Sequence, residues 1–362
     1  MLTLDFDYIY PETSVAAQPA SPRSSSKMMV IQANQNKFEH RQASQLPEYL
    51  NSNDLIVMNT SYVRPARFKG TKSTGGKFEA LFLEVLEEER IRCWLQGKVK
   101  CGDRLMLEGS ELEVVVAERD QRNVILEVNS KAFLNYLDGQ AFMALPPYIR
   151  ARRQRMGMNP ELESDRINYQ SILAEELNKN SGFSIAAPTA SLHFDNKLLE
   201  NLEKKDIKIA KIKLHVGLGT FAPIEAKEIE QHPIHSEEVE ISQEFWKQFE
   251  STKKGGGRIF AVGTTVCRAL EAGLRRRQAG FSTEAFRTDL YIYGGFDFQA
   301  VDVLMTNFHQ PKSSLLVLVE SFILEASGQS AISNCNHWRK YYEAAQASGY
   351  RFFSFGDAML IL

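Results

Sequence analysis

The sequence predicts an α/β main domain with a mixed sheet, plus an inserted small antiparallel β-barrel domain. Two observations predict this fold class. Between residues 67 and 145, short apolar or β-branched runs alternate with turn residues and show no helical period. Beyond Pro146, segments typical of strands and of helices alternate, as in layered α/β domains. We therefore expect residues 1–66 and 146–362 to form the main domain and residues 67–145 the insertion.

The first strands are predicted from short apolar runs between turn residues. Residues 19–26 are rich in proline and serine and are expected to form a loop. Residues 54–59 form an apolar run after a turn, which predicts a buried strand of the main domain. In the insertion, the predicted strands are residues 78–85, 90–95, 105–107, 112–117 and 124–128.

Capping residues and glycines mark the helices of the C-terminal half. Asp195 is placed to cap a helix through residue 204, and a strand over residues 207–216 follows. Ser242 is placed to cap a second helix, which the glycines at 255–257 end. The other predicted elements are a strand over 259–262, a helix over 267–277, a strand over 290–293, and helices over 314–324 and 337–347.

The composition is that of a globular protein with a sizeable core. Of the 362 residues, 43% are hydrophobic and 24% are charged. The 4 cysteines show no C-x-x-C spacing and no cluster with histidine, so neither a disulfide framework nor a zinc or iron–sulfur site is indicated. There is no signal-peptide pattern and no apolar stretch of about 18 residues. We expect a cytoplasmic monomer that has no membrane contact and binds no metal.

The charge balance gives no general attraction to nucleic acid. The formal net charge is −2, so contact with RNA would depend on local basic patches. The candidate patches are the arginine-rich residues 150–155 and 275–277. Each run is also compatible with an ordinary solvated surface.

An unusual glycine pair follows a predicted strand in residues 214–221, Leu-His-Val-Gly-Leu-Gly-Thr-Phe. Gly217 and Gly219 permit a close backbone approach to a ligand or a positive φ. A dinucleotide-binding motif is excluded, because the third glycine is missing and Pro223 stands where a helix would begin. The pattern leaves a tight structural turn and a ligand-binding loop both open.

A second strand-to-helix junction lies at residues 262–265, Val-Gly-Thr-Thr. The free N–H groups of the first helical turn and the hydroxyls of Thr264 and Thr265 are suited to bind a carboxylate or a phosphate. The alternative is a threonine-capped helix with nothing bound.

Histidine occurs in two further segments of interest. His193 lies in a run of small residues over 186–194, which leaves room for a flat ligand, although a lone histidine is more often structural. His232, His235 and Glu237 are close enough in sequence to suggest a metal site. That site is disfavoured because Pro233 interrupts the helix that usually presents such pairs, and no third ligand is evident.

The C-terminal part carries two dense groups of functional side chains. Residues 306–313, Thr-Asn-Phe-His-Gln-Pro-Lys-Ser, place amide, imidazole, ammonium and hydroxyl groups before an apolar helix. Residues 351–359 alternate aromatic and polar side chains, a pattern usual in cores and also suited to stacking on bases.

Taken together and in order, these segments resemble the motifs of the S-adenosylmethionine:tRNA ribosyltransferase-isomerase family of queuosine biosynthesis. The resemblance runs nearly end to end. The matching blocks are residues 146–149, 165–166 with 169–170, 186–194, 214–221, 235–237, 262–265 with 268–271, 306–309 and 356–361. Blocks in register along a whole chain are far more specific than one glycine motif.

The resemblance implies transfer and isomerisation of the ribosyl moiety of S-adenosylmethionine onto 7-aminomethyl-7-deazaguanine (preQ1) at the wobble position of tRNA. The product is epoxyqueuosine, with release of adenine and methionine. S-adenosylmethionine is then a ribosyl-donating substrate, and tRNA carrying preQ1 is the partner. The positive sulfur acidifies the neighbouring C5′ protons, so a positioned base can start the rearrangement without a metal or redox cofactor.

Such a reaction needs a base, a proton donor for departing adenine and a binding site for the methionine carboxylate. For proton transfer we expect His193, His215 and His309 first, and His235, Glu237 and Asp302 next. For S-adenosylmethionine binding we expect Gly217, Gly219, Thr220, Thr264, Thr265 and Asn307. For phosphate or tRNA contact we expect Arg67, Arg150, Arg152, Arg153 and Arg268. We expect the histidines and the glycine-flanked strand ends to meet in one cavity.

Some positions depart from the family pattern. Thr60 and Tyr62 stand where the family usually has an aspartate and an arginine, and Lys27 stands for a usual arginine. Ser191, Gly294 and Gln310 replace a usual glycine, proline and leucine. Two alternatives therefore stay open. One is a divergent paralogue that binds tRNA or a nucleoside without this activity, and the other is a same-fold transferase with a different base acceptor.

Overall fold

The computed structural model of the protein describes residues 1–175, 183–217, 223–328 and 336–362. The chain divides into two compact units. The first comprises Met1–Tyr62, Pro146–Pro160 and Gln170–Leu362, and the second comprises Val63–Leu145 and Glu161–Tyr169. The sequence alone does not predict that residues 161–169 belong with the second unit.

Strands and helices follow one another along the described residues. The strands are β1 (Lys27–Gln32), β2 (Lys37–Gln42), β3 (Leu55–Asn59), β4 (Arg67–Lys72), β5 (Lys77–Glu87), β6 (Arg90–Gln96), β7 (Arg104–Leu107), β8 (Glu113–Asp120), β9 (Asn123–Glu127), β10 (Lys208–His215), β11 (Glu237–Glu240), β12 (Ile259–Val262), β13 (Ala285–Thr288), β14 (Val303–Asn307) and β15 (Ala358–Ile361). The helices are α1 (Ser130–Gln140), α2 (Pro147–Arg155), α3 (Asp165–Asn168), α4 (Asn196–Glu203), α5 (Gln243–Lys254), α6 (Thr264–Gln278), α7 (Ser314–Ala326) and α8 (His337–Ala347). In these described ranges, no helix has the length and apolar character needed to cross a membrane.

The first unit is built on a mixed sheet, which has nine strands in the described part of the chain. The strand order is β13-β11-β10-β3-β12-β14-β15-β1-β2. Strands β10, β3, β12 and β14 are mutually parallel, whereas β15 is antiparallel to β14 and parallel to β1. The four parallel strands therefore end at one edge of the sheet, here called the carboxyl edge, and β1 and β15 begin at that edge.

The middle of this sheet is buried on both faces, which explains why β12 and β15 are continuously apolar. Successive side chains of a strand point to opposite faces. Val57 and Ala261 belong to a core cluster that includes residues of α5, α6, α7 and α8. Their neighbours Met58 and Val262 belong to a second cluster that includes Leu198 of α4. The sheet thus separates two apolar layers.

The predicted caps of two helices are confirmed. Asp195 Oδ1 accepts a hydrogen bond from the N–H of Leu198 at 3.0 Å, and this bond caps α4. Ser242 Oγ accepts from the N–H of Phe245 at 3.1 Å and caps α5 in the same way. Each bond satisfies one of the N–H groups that the first turn of a helix leaves without an intrahelical partner.

The predicted strand over residues 290–293 is wrong. The strand of this region is β13, which pairs with β11 and ends at Thr288. Thr288 Oγ1 accepts from the N–H of Leu290 at 3.2 Å, and such a local turn ends strand pairing. The apolar residues that suggested a strand pack instead, since Ile292 is buried in the core. Helix α6 also begins at Thr264, earlier than the predicted start at residue 267.

The second unit contains a closed antiparallel barrel with the strand order β4-β5-β6-β9-β8-β7. Pairing between β4 and β7 closes it. Phe68, Phe82 and Ile91 are buried, as expected for the inward positions of alternating strands. Gly70 permits the closure, because a Cβ at this position would lie 2.2 Å from the carbonyl oxygen of Met106. The mixed sheet and the barrel confirm the predicted fold class.

Candidate active site at the carboxyl edge of the sheet

The carboxyl edge collects polar residues from segments distant in sequence. The chain leaves β12 through Gly263 and enters α6 at once, and it leaves β14 through Asn307. Glu237 begins β11, which is antiparallel to β10 and so reaches the same edge. Parallel strands place their carboxyl ends together, and ligands of α/β proteins usually bind there.

A cavity of about 580 Å³, here called the central cavity, opens at this edge. Its walls come from the ends of β10, β12 and β14, the start of α6, and the segments around residues 187–190 and 353–354. The polar side chains that line it belong to Tyr148, Thr189, Thr264, Thr265, Thr306, Asn307, His309, Gln310, Ser313 and Ser354.

His309 is a buried imidazole in the wall of the central cavity. Its Nε2 is 2.9 Å from the hydroxyl of Thr306, while no hydrogen bond from the described residues reaches its Nδ1. Its backbone is fixed by Tyr342, whose hydroxyl oxygen accepts from the His309 N–H, and by Tyr8, whose hydroxyl donates to the His309 carbonyl. Burial lowers the pKa of His309 to about 3, so the ring is neutral at pH 7.

His193 lies behind the cavity wall and both of its ring nitrogens are engaged. The side-chain amide of Asn307 donates to the carbonyl of Phe353 at 3.1 Å and to Nε2 of His193 at 3.2 Å. Because Nε2 accepts, Nδ1 carries the proton and donates to Ser26 Oγ at 2.8 Å. Asn307 Oδ1 also accepts from Thr189 at 3.1 Å. His193 therefore orients Asn307, which does line the central cavity.

A second cavity of about 540 Å³, here called the lateral cavity, shares Thr264, Thr265 and Leu315 with the central one. Glu237 and Arg268 line it and form an ion pair with each other. Both side chains are largely buried, with 6% of the glutamate and 17% of the arginine exposed. Burial lowers the pKa of Arg268 to about 10, and Asp289 acts in the opposite direction.

The start of α6 lies in the wall that the two cavities share. Gly263 precedes it with φ of 104° and ψ of 149°, a conformation essentially restricted to glycine. Because glycine has no side chain, no side-chain oxygen of this N-cap satisfies the first-turn N–H groups. Those groups and the two threonine hydroxyls are suited to an anionic ligand group.

A comparison with protein families matches residues 3–361 of the chain to a family described as Queuosine biosynthesis protein. The chain belongs to this family. The predicted resemblance is thereby confirmed over nearly the whole length.

Individual members of the queuosine biosynthesis family are similar to this protein over nearly their whole length. The S-adenosylmethionine:tRNA ribosyltransferase-isomerase of Thermosipho melanesiensis is 39% identical over 360 residues, which are 99% of this chain and 98% of that protein. The protein of the same name from Thermotoga petrophila is 38% identical over 365 residues, covering 100% of both. The crystal structure of S-adenosylmethionine tRNA ribosyltransferase from Thermotoga maritima is 30% identical, with a TM-score of 0.53 and coverage of 99% of this chain and 100% of that chain.

In this member of the queuosine biosynthesis family, most of the predicted site residues meet at the carboxyl edge. Thr264, Thr265, Asn307 and His309 line the central cavity. His235, Glu237 and Arg268 line the lateral cavity together with the two threonines. His193 contacts the central cavity through Asn307, and the N–H of Gly217 donates to Glu237 at 3.3 Å.

Besides His193, two predicted proton-transfer residues, His215 and Asp302, line neither cavity. Asp302 stands at the amino end of β14, on the opposite edge, where it pairs with Lys253 at 2.7 Å and accepts from the N–H of Ile259. We therefore do not propose it as a catalytic group. His215 ends β10, lines neither cavity, and has Nε2 3.8 Å from Glu240, too long for a hydrogen bond. Burial lowers its pKa against the opposing effect of Glu240.

The predicted RNA-contacting arginines have different environments. Arg153 is fully buried and donates to the carbonyls of Ala17 and Pro160, so we no longer propose it as an RNA contact. Arg67 is buried in the second unit and pairs with Glu79 at 2.7 Å. Arg150 and Arg152 are half-buried on α2. Arg268 faces the lateral cavity, as described above.

Two predicted binding residues, Gly219 and Thr220, lie outside the described residues, so the structure does not place them. Within the described ranges, no three His, Cys, Asp or Glu side chains are grouped so that they could hold a metal ion.

The sequence analysis did not single out Tyr148, Thr189 and Ser26 as site residues. Tyr148 lines the central cavity and hydrogen-bonds Ser354 at 2.6 Å, and burial raises its pKa. Thr189 lines the cavity and holds Asn307, and Ser26 holds His193. Tyr148 and Thr189 both lie in blocks that carried the family resemblance. Their position in these blocks is the sequence signal that could have identified them as site residues.

Proposed function

We propose that this protein transfers and isomerises the ribosyl moiety of S-adenosylmethionine onto preQ1 at the tRNA wobble position. The products are epoxyqueuosine in tRNA, adenine and methionine. The observation that carries the proposal is similarity over complete chains to proteins named S-adenosylmethionine:tRNA ribosyltransferase-isomerase. In support, seven of the 17 site residues that the resemblance implied line one of two adjoining cavities, and two more hydrogen-bond to residues that do.

The central cavity suits the nucleoside part of S-adenosylmethionine. It combines neutral hydroxyl, amide and imidazole groups with an apolar wall that includes Phe308 and Phe353. His309 is our candidate for proton transfer, because its Nδ1 is unoccupied by any described residue and its ring is neutral at pH 7. The bound sulfonium acidifies the C5′ protons, and this reduces the basicity that the imidazole must supply.

The remaining proposed roles concern binding. The hydroxyls of Thr264 and Thr265, in the wall that the two cavities share, would bind the ribose of S-adenosylmethionine. Arg150 and Arg152 are our candidates for tRNA phosphate contact, since α2 leaves them partly exposed. Guanidinium groups suit phosphate because their planar donors match its geometry.

The proposal is tested by incubating purified protein with S-adenosylmethionine and tRNA carrying preQ1, and measuring release of adenine. We expect one adenine for each modified tRNA, and no release with the same tRNA lacking preQ1. Absence of release from folded protein, beside an active relative as positive control, would contradict the proposal. Calorimetric binding of S-adenosylmethionine without turnover would instead support the divergent paralogue, which the substitutions at Thr60 and Tyr62 suggest.

A further inference from the structure

The ion pair between Glu237 and Arg268 has features that stability alone does not explain. The two charges lie on β11 and α6, and both are largely withdrawn from water. Removing charges from water is costly, and buried ion pairs can often be replaced by apolar residues without loss of stability. This pair also lines a cavity, so both partners are within reach of a ligand.

The walls around the pair indicate what ligand fits. Leu290, Ile292 and Leu318 provide an apolar surface in the lateral cavity beside the two charges. A free α-amino acid group carries an ammonium and a carboxylate on one carbon, which is the charge pattern complementary to a glutamate beside an arginine. A short aliphatic or thioether chain would lie against the apolar wall.

We propose that the lateral cavity is the subsite for the α-amino acid end of S-adenosylmethionine, with Arg268 binding its carboxylate and Glu237 binding its ammonium. The proposal rests on the proposed function and assigns to these two residues roles in binding. The ligand would replace the direct contact between them by two charge-assisted contacts. The shared wall of Thr264, Thr265 and Leu315 lets one molecule extend from this subsite into the central cavity.

The charge balance of the subsite agrees with this assignment. Arg268 is influenced by the carboxylate of Asp289 in addition to its partner Glu237. The exposed carboxylate of Asp289 thus adds negative charge near the ion pair, which favours a ligand that brings positive charge with its carboxylate. The ammonium and the sulfonium of S-adenosylmethionine supply it.

The test compares S-adenosylmethionine with its decarboxylated analogue, using preQ1-tRNA and adenine release. Wild-type protein is expected to prefer the carboxylated substrate about 10- to 100-fold in kcat/KM, as is typical of a charge-assisted hydrogen bond. Arg268→Lys is expected to lose part of this preference. The double variant Arg268→Met/Glu237→Met, which leaves no unpaired buried charge, is expected to lose all of it. The role of Glu237 is tested in the same way. Wild-type and Glu237→Gln protein are each compared with S-adenosylmethionine and with an analogue that lacks the amino group.

The matched control is Arg277→Gln on the same helix, which removes an ion pair with Glu250 outside both cavities. This variant should keep the full preference. A merely structural pair would instead lower the rates with both substrates equally in the double variant, and that result would overturn the subsite. So would a wild-type protein that treats both substrates alike.

A binding measurement separates this inference from the proposed function. Calorimetric titration of wild-type and double-variant protein with S-adenosylmethionine and with the decarboxylated analogue needs no turnover. If wild-type protein releases no adenine yet binds the carboxylated ligand about 10- to 100-fold more tightly, the function fails and the subsite stands. If adenine is released but the two affinities are equal, the subsite fails and the function stands.

Discussion

Two buried histidines at the carboxyl edge differ in their hydrogen bonds, and this difference indicates different roles. His193 has both ring nitrogens engaged, by Ser26 and by Asn307. His309 has one nitrogen at Thr306 and lines the central cavity itself. Only a ring with a free nitrogen next to substrate can exchange a proton with it. We therefore propose proton transfer for His309 and a positioning role for His193.

We expect His309→Gln to reduce kcat for adenine release roughly 100- to 10,000-fold, the usual contribution of a general acid or base. The KM for S-adenosylmethionine should change little, because the ring acts in the chemical step. Steady-state kinetics with preQ1-tRNA measures both constants. His40→Gln is the matched control, since His40 pairs with Tyr350 outside both cavities and its loss should leave kcat unchanged. Equal rates for the His309 variant and wild type would remove this histidine from the mechanism.

At the scale of elements, the junction between β12 and α6 forms part of the wall of both cavities. The N–H of Gly263 donates to the carbonyl of Met305 at 2.7 Å, which ties the junction to β14. The positive φ of Gly263 then turns the chain so that Thr264 and Thr265 enter the shared wall. A side chain at this position would strain the backbone, even though its Cβ would meet Ala190 only at an ordinary contact distance of 3.5 Å.

Gly263→Ala should lower the free energy of unfolding by about 1–3 kcal/mol, the range associated with a disfavoured backbone conformation. It should also weaken S-adenosylmethionine binding, because the first turn of α6 would shift. Chemical denaturation and calorimetry give the two quantities. Gly139→Ala in α1 is a suitable comparison, since a Cβ there meets nothing within 4 Å and helix propensity favours alanine. An unchanged stability at position 263 would show that the conformation carries no strain.

At the scale of the whole molecule, burial of neutral imidazoles links stability to pH. Burial lowers the pKa of His193 to about 4, opposed by Asp357 and assisted by Arg351 and Arg23, and lowers that of His309 to about 3. An unfolded histidine titrates near 6.5. Below that pH the unfolded chain binds protons that the folded chain does not, so acidification favours unfolding.

The free energy of unfolding should therefore fall as the pH is lowered from 7 toward 4, by up to about 1.4 kcal/mol per pH unit for each of the two histidines. Urea denaturation at several pH values measures this slope. His309→Gln should have a shallower slope below pH 6 than wild type, while a variant at the exposed His235 controls for the substitution itself. Parallel curves for wild type and His309→Gln would contradict the linkage.

Local patterns were sufficient for much of the fold. Alternating apolar runs predicted the barrel strands, and the side chains of Asp195 and Ser242 marked helix starts that the structure confirms. Local patterns gave a wrong strand over residues 290–293, whose apolar side chains pack in or against the core without strand pairing. They also missed β1, β14 and β15, although these strands contain short apolar runs like those that predicted β3 and β12.

The sequence by itself determined the fold class, several helix ends and the family, because these follow from local periodicity, capping chemistry and ordered motifs. Only the tertiary structure decided which functional side chains meet. Packing of α6 beside β11 brings Arg268 to Glu237, although they are 31 positions apart in the sequence. Asp302 and Asn307 are close in sequence but lie at opposite ends of β14, so they face opposite edges of the sheet. Such proximity depends on contacts between segments far apart in the chain, and residue spacing along the chain does not encode these contacts directly.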